Sequence, residues 1–259
     1  MKFRHLLCAT CVAVSLLVVS IGVADAESVA PAPAPAAASA VEPGALNALS
    51  RMSDYLRTLQ SFEVRISTVR EEVDDHDQKL QFLGTTTYKA RRPNGLVVDV
   101  AEDRLVRHFV YDGKVATMLA PRMGYYTTIE APPTIRKLLD LLDDKYDIVL
   151  PLEDLFLWGT DADRRSDLKA GYLVGYARIA DQDADQYAFR EDGMDWQIWI
   201  ARGNKPLPLR VVITGTDDPA LPQMEGSLNW NTTPKFAADT FVFKAPAGAK
   251  PIAIVTVSR

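Results

Sequence analysis

Two neighbouring runs of the chain alternate between apolar positions and polar or mixed ones. The apolar positions are Trp196, Ile198 and Ile200 in the first run and Leu209, Val211 and Ile213 in the second. A repeat of two residues is typical of a β-strand, and the Gly203-Asn204 pair between the runs favours a turn. We therefore predict a β-hairpin over residues 195–214, with one face packed and the mixed face partly in water.

Three other segments repeat their apolar residues at helical spacing. The first predicted helix begins at Pro43, a residue favoured in the first turn, and the second follows Thr134, a suitable N-cap. The third is short, from Pro151 to near Gly159. Their apolar stripes are Leu49, Met52, Leu56 and Leu59, then Ile135, Leu138, Leu139 and Leu142, then Leu152, Leu155 and Phe156. Such stripes are typical of helices that pack on a sheet.

Further short runs rich in β-branched and aromatic residues predict the remaining strands. They cover residues 62–66, 82–90, 96–100, 105–111, 115–119, 125–129, 172–180, 186–190, 223–231 and 241–243. The Asp112-Gly113 pair predicts a tight hairpin turn. Helices that are segregated from a long run of strands indicate an α+β fold. We predict an open, curled antiparallel sheet of roughly ten strands, a half-barrel with about three helices in or over its concave face.

The N-terminal end has the composition of a targeting segment. Residues 1–26 combine a positive start, an apolar run and the small-residue site Ala24-Asp25-Ala26, which predicts a secretory signal peptide. An uncleaved anchor is the alternative, because the apolar run approaches the ~20 residues that span a bilayer. Residues 27–42, rich in Ala and Pro, predict an extended tether. Residues 43–259 are then expected to form a single domain in the periplasm.

Charge and cysteine content exclude several classes of partner. Both cysteines, Cys8 and Cys11, lie in the predicted signal peptide, so the exported domain has no thiol for a disulfide, a metal or catalysis. A formal net charge of −5 without a basic stripe argues against nucleic-acid binding. It also gives no attraction to anionic lipid surfaces. Membrane contact is therefore expected only transiently or through an uncleaved N-terminus.

Few residues offer chemistry. His76 lies in an acidic run at 74–77, which favours a solvated turn over a metal site because adjacent residues cannot all converge on one ion. Residues 181–185 hold three aspartates spaced as at the start of a calcium loop, but the glycine that the loop needs is missing, which favours an acidic turn. His108 is expected to be a partly buried strand residue. The sequence therefore predicts no catalytic residue, no metal site and no cofactor.

Several motifs occur in an order that resembles a known protein family. They are Arg92-Pro93, Tyr111-Asp112-Gly113-Lys114, Ala131-Pro132-Pro133-Thr134-Ile135, Leu150-Pro151-Leu152-Glu153-Asp154-Leu155 and Asp195-Trp196-Gln197-Ile198-Trp199-Ile200. That family consists of predicted periplasmic proteins and is similar to the LolA and LppX lipoprotein-carrier superfamily. The resemblance implies a half-open barrel whose apolar concave face is lidded by helices, and a lipid or acyl chain as the ligand. Gln186 departs from the pattern, because a histidine is expected there.

The apolar faces of the hairpin and of the second helix allow two interpretations. They line a ligand cavity in the first and form an ordinary core in the second, and the residues concerned are Trp196, Ile198, Ile200, Leu209, Val211, Ile213, Leu138 and Leu142. The first hypothesis is a periplasmic carrier of a hydrophobic ligand, with the second helix as a lid. The alternative is an envelope module with a filled core that binds another protein through edge strands or an exposed Trp199 face. An enzyme has the least support, since no catalytic motif is present.

Overall fold

The architecture is dominated by a single large sheet. The computed structural model of the protein describes residues 41–153, 156 and 164–256. Within these residues, 12 strands form one sheet. The strands are β1 (Ser61–Val73), β2 (Lys79–Arg91), β3 (Gly95–Glu102), β4 (Val106–Tyr111), β5 (Val115–Ala120), β6 (Tyr125–Glu130), β7 (Ala170–Ile179), β8 (Gln182–Glu191), β9 (Met194–Ala201), β10 (Pro208–Gly215), β11 (Gln223–Asn231) and β12 (Lys250–Pro251). The sheet has 12 strands where a total of roughly ten was predicted, and the antiparallel α+β class is confirmed.

The order of the strands shows how the two halves of the sheet are joined. It is β12-β6-β5-β4-β3-β2-β1-β11-β10-β9-β8-β7, so two meanders meet where β1 pairs with β11. Every neighbouring pair is antiparallel except the short contact of β12 with β6. The outermost strands, β12 and β7, do not pair with each other, so the sheet is open. The predicted hairpin is confirmed as β9–β10, in which Ile198 lies opposite Val211.

Alternate residues of the strands converge on one concave, apolar face. Val64 at the centre of the sheet lies between Tyr88 and Trp230 in the register of β2, β1 and β11. The same face continues through Val98 of β3 and Phe109 of β4. These side chains belong to one buried apolar cluster that also includes residues of both halves of the sheet. Because both halves face the same cluster, the sheet is curled around it.

Two helices complete that cluster. Helix α1 (Pro43–Thr58) begins with the predicted proline, and its stripe, which includes Leu49, Met52 and Leu56, is buried. Helix α2 (Ile135–Tyr146) is capped by Thr134, whose side chain accepts a hydrogen bond from the backbone amide of Lys137. All four predicted stripe residues of α2 are buried. Each buried leucine or isoleucine of this kind stabilises the fold by about 1.5–3 kcal/mol relative to exposure.

The third predicted helix is only partly within the described residues. Residues 151–153 form a turn rather than the first turn of a helix, and Phe156 is helical and buried. The other residues of this prediction, 154–155 and 157–159, lie outside the described part of the chain. One further short 3₁₀ helix is described at Arg164–Asp167. The described residues therefore contain two α-helices instead of about three. The predicted signal peptide and residues 27–40 of the tether also lie outside the described part.

The prediction of a strand at 241–243 is wrong. Phe241 is buried on the convex side of the sheet against Val97 and Val110, with Phe236 and Phe243 around it. Its ring meets that of Phe236 edge-on, with 5.2 Å between the centroids. The alternating aromatic residues therefore belong to a loop that packs on the convex face of β3 and β4. The last strand is β12 instead.

Candidate functional site

The structure brings all eight predicted site residues into the same apolar cluster. Ile198, Ile200, Leu209, Val211, Leu138 and Leu142 are buried there, and Trp196 and Ile213 are partly buried against them. The sheet residues come from adjacent strands of the concave face, and Leu138 and Leu142 come from the buried side of α2. Sequence periodicity was sufficient to group these residues. Their contact with a ligand stays a prediction.

The segment between β6 and residue 153 covers part of this face, and we call residues 131–153 the lid segment. Two tyrosines of the concave face hold it at both ends. The Tyr111 hydroxyl donates to the Pro132 carbonyl before α2. The Tyr88 hydroxyl donates to the Pro151 carbonyl after α2, at 2.6 Å. Both tyrosines are fully buried. The lid segment is therefore attached to the sheet by polar contacts at its ends and by apolar side chains between them.

Tight packing near Pro151 reinforces the second attachment. Gly226 of β11 lies on the concave face beneath Leu152, and a Cβ atom at position 226 would be 3.1 Å from Leu152 Cδ1. A side chain at this position would push against the lid segment. The glycine thus allows the lid segment to lie directly on the sheet. No local pattern in the sequence distinguishes this glycine from those of the turns.

Replacement of Tyr111 by Phe is expected to remove a pH dependence of stability in the alkaline range. Burial, followed by the nearby charge of Asp112, raises the pKa of Tyr111 from 10.0 to about 12. The neutral phenol is favoured by the folded state, so its contribution is complete below pH 10 and is lost as the pH rises towards 12. The free energies of unfolding of the wild type and of Tyr111→Phe should converge by about 1.4 kcal/mol per pH unit in that window.

Urea unfolding of both proteins between pH 8 and pH 12 measures this convergence. The other tyrosines and the lysines titrate in both proteins, so their effects cancel in the difference. Tyr125→Phe is the matched control, because Tyr125 is an exposed tyrosine of β6 that makes no contact with the lid segment among the hydrogen bonds of the described residues. Parallel curves for the wild type and Tyr111→Phe would contradict the assigned contact.

The expected exposure of Trp199 is wrong. The residue retains 7% exposure. The guanidinium of Arg210 lies over the indole, 4.8 Å from the ring centroid, on the convex side of the sheet. The long side chain of arginine covers the apolar ring while its charge stays near water. Beside it, Gln186 at the departing position donates to the Gln197 side chain at 2.9 Å. A face centred on Trp199 is therefore not an open apolar surface.

The polar candidates serve structural contacts. The Asp74 carboxylate accepts from the backbone amides of His76 and Gln78, so the solvated turn predicted there is confirmed. His108 lies on β4 with Nδ1 2.6 Å from Asp99 Oδ1, a partner that the sequence did not reveal. Among the described residues, no group of three or more His, Cys, Asp or Glu side chains is arranged to hold a metal ion.

The predicted acidic turn at 181–185 is wrong in its extent. Asp183 and Asp185 lie on β8 rather than in a turn. Asp183 accepts a hydrogen bond from the Tyr176 hydroxyl at 2.7 Å. Asp185 pairs with Arg202 at 2.9 Å. Asp183 and Asp185 therefore alternate along β8, and their partners are Tyr176 on β7 and Arg202 just after β9.

Sequence comparison assigns the chain to a family. A model described as "Predicted periplasmic protein (DUF2092)" matches residues 45–255, which is most of the chain. The chain belongs to the DUF2092 family. This confirms the resemblance to a family of predicted periplasmic proteins and the periplasmic compartment. No curated protein matches the sequence. Among the described residues of this DUF2092 protein, no helix is long and apolar enough to cross a membrane.

Several solved structures are similar to this DUF2092 protein at low identity. An uncharacterized conserved protein from Thermus thermophilus is 12% identical, with a TM-score of 0.46 over 81% of this chain and 98% of that one. LprF from Mycobacterium bovis is 13% identical, with a TM-score of 0.42 over 81% and 99%. A LolA superfamily protein from Nitrosomonas europaea is 11% identical, with a TM-score of 0.37 over 77% and 97%.

Proposed function

We propose that this protein is a periplasmic binder or carrier of a hydrophobic ligand with a long acyl chain. The observation that supports the proposal is the construction of the interior. One side of it is the concave sheet, and the other is formed by helices, of which α2 belongs to the lid segment. Because Tyr88 and Tyr111 fix the lid segment at its ends, its middle is held mainly by apolar contacts. A ligand with similar apolar surface replaces such contacts without a large net cost.

The size of the buried stripe indicates the size of the ligand. Moving α2 away from the sheet exposes Ile135, Leu138, Leu139 and Leu142. At about 1.5–3 kcal/mol for each side chain, this costs about 6–12 kcal/mol. A ligand regains ~0.8 kcal/mol for each methylene that it buries, so about 8–15 methylenes offset the opening. The balance favours an acyl chain over a small aromatic or sugar ligand.

Mass spectrometry of the protein purified from the periplasm without detergent tests the proposal. We expect a stoichiometric extra mass under native conditions that is recovered as a lipid by organic extraction. The same spectrum measures the N-terminus, and a chain that begins near Glu27 would demonstrate cleavage of the predicted signal peptide. A bare polypeptide that also fails to take up an added fatty acid would contradict the proposed function.

One observation favours the second candidate function, an envelope interaction module. Strand β7 is at the edge of the sheet and exposes the apolar side chains of Tyr172, Leu173, Val174 and Tyr176. The backbone amide of Glu42 donates to Gly171 O at 2.8 Å, so part of this edge is already occupied by the chain itself. An extended segment of an envelope protein would pair with the remainder of the edge. A bare polypeptide in the experiment above would favour this second function.

A further inference from the structure

A small cleft lies beside the apolar interior, between α1 and the open end of the β8–β9 hairpin, where β8 begins and β9 ends. Its volume is about 200 Å³. Ala48 and Arg51 line it from α1, Asp185 and Tyr187 from β8, and Ile200 and Arg202 from β9 and the turn that follows. We call it the arginine cleft. Its two arginines are far apart in the sequence, and no motif joins them.

The charges of the arginine cleft are unbalanced. Arg202 Nε pairs with Asp185 Oδ1 at 2.9 Å. The guanidinium of Arg202 also lies over the ring of Tyr176, 5.3 Å from its centroid, which fixes its position. Arg51 forms no ion pair with any described residue. Two guanidiniums therefore face a single carboxylate, in a chain whose net charge is −5.

Tyr187 adds a neutral hydrogen-bond donor. Its hydroxyl has no hydrogen-bond partner within the described part of the chain. Burial, followed by the charge of Asp185, raises the pKa of Tyr187, while Arg51 and Arg202 lower it. The phenol therefore keeps its proton at neutral pH, and both cations are near enough to influence it. A guanidinium with free N–H groups beside a free phenol is an arrangement that binds carboxylate or phosphate oxygens.

The floor of the arginine cleft borders the apolar interior. Ile200 lines the cleft and also belongs to the buried cluster formed by the concave face. Ala48 lines the cleft from α1 and belongs to the same cluster. A ligand with its anionic end at the arginines would therefore have its chain directed past Ile200. An amphiphile contacts both the polar cleft and the adjoining apolar surface, whereas a free anion would contact the polar cleft alone.

We propose that the arginine cleft binds the carboxylate or phosphate headgroup of an amphiphilic ligand, with Arg51 and the Tyr187 hydroxyl as donors and Arg202 as a second cation. This inference rests on the proposed function and adds the class of ligand to it. Arg202 holds its own carboxylate, whereas Arg51 is the cation that the ligand neutralises. The ligand is then an anionic lipid or fatty acid rather than a neutral hydrocarbon.

Binding of two fluorescent probes with the same chain tests the headgroup site. The probes are dansylated undecanoic acid and its methyl ester, titrated at pH 7 into the wild type, Arg51→Gln and Arg57→Gln. Arg57 is the control, because it is exposed on the same helix, is absent from the cleft lining and removes the same charge. We expect Arg51→Gln to weaken binding of the acid by about tenfold to a hundredfold, the range of a charge-assisted hydrogen bond. Binding of the ester should change less than threefold in either variant.

The outcomes separate the headgroup site from the proposed function. Equal affinity of the wild type for acid and ester, or an equal loss in Arg51→Gln and Arg57→Gln, would overturn the headgroup site and leave a hydrophobic ligand in place. Failure of the wild type to bind either probe would overturn both. Inorganic phosphate serves as a competitor without a chain and is expected to leave the bound acid in place. If phosphate displaced the bound probe at the same concentration as an unlabelled fatty acid does, the proposal that the ligand is an amphiphile would be overturned.

Discussion

Oxidation of a Leu152→Cys/Gly226→Cys double variant is expected to abolish uptake of dansylated undecanoic acid, and reduction is expected to restore it. Leu152 Cδ1 lies 3.1 Å from the place of a Cβ atom at position 226, so side chains at these two positions meet between the lid segment and β11. A disulfide between the two cysteines would fasten the lid segment to β11. A ligand that has to enter beneath the lid segment can then no longer reach the interior. Fluorescence of the probe measures its uptake.

The same protein provides its own control, because only the disulfide changes between the two states. The Leu152→Cys single variant should take up the probe under oxidising conditions. A protein that lacks residues 1–26 has no Cys8 or Cys11, so the engineered pair then has no competing native thiol. Full uptake by the oxidised double variant, with the disulfide verified by mass, would show that the ligand does not pass beneath this part of the lid segment.

Local periodicity predicted the elements whose burial alternates regularly. The β9–β10 hairpin, the Thr134 cap and the stripe of α2 follow from contacts within a few residues, which a single sequence displays. Strand β1 shows where that signal ends. The predicted strand stopped at residue 66, but β1 extends to Val73 through partly exposed residues. Its outer part is held by backbone pairing with β2 and β11, and pairing of this kind leaves no apolar pattern.

Contacts between distant segments could not be predicted. The bond from Tyr88 to Pro151 joins residues 63 apart in the chain, and neither residue differs from an ordinary strand or turn residue in the sequence. The same limit applies to the arginine cleft, because Arg51 looks like a solvated residue on the polar side of α1. Phe241 misled the prediction for a related reason. Its alternation with Phe243 comes from packing on an existing sheet, and the same spacing describes a strand.

The attachment of the lid segment suggests which contacts set the affinity for a ligand. In the proposed function, its polar ends remain bonded to the sheet, whereas its apolar middle competes with the ligand for the concave face. A smaller side chain in the middle of α2 should then weaken the packing of α2 on the concave face. Stability of the empty protein and affinity for the ligand are therefore expected to change in opposite directions.

Replacement of Leu138 by Ala is expected to destabilise the empty protein and to increase its affinity for the probe by about tenfold or more. Leu138 is fully buried on α2, and loss of such a leucine costs about 2–5 kcal/mol, including the cavity that it leaves. The ligand no longer has to displace that side chain, and every 1.4 kcal/mol removed from the cost of opening is about tenfold in the dissociation constant. Thermal unfolding with and without dansylated undecanoic acid measures both effects in one experiment.

Phe241→Ala is the matched control for Leu138→Ala. Phe241 is equally buried, but it lies on the convex side of the sheet, in the second apolar cluster. Its loss should cost about 3–5 kcal/mol and leave the affinity for the probe unchanged. At a probe concentration 100 times the dissociation constant, binding adds about 2.7 kcal/mol of stability, which is large enough to compare between variants. Equal gains for Leu138→Ala and Phe241→Ala would mean that the probe does not enter beneath α2, and this would contradict the role proposed for the lid segment.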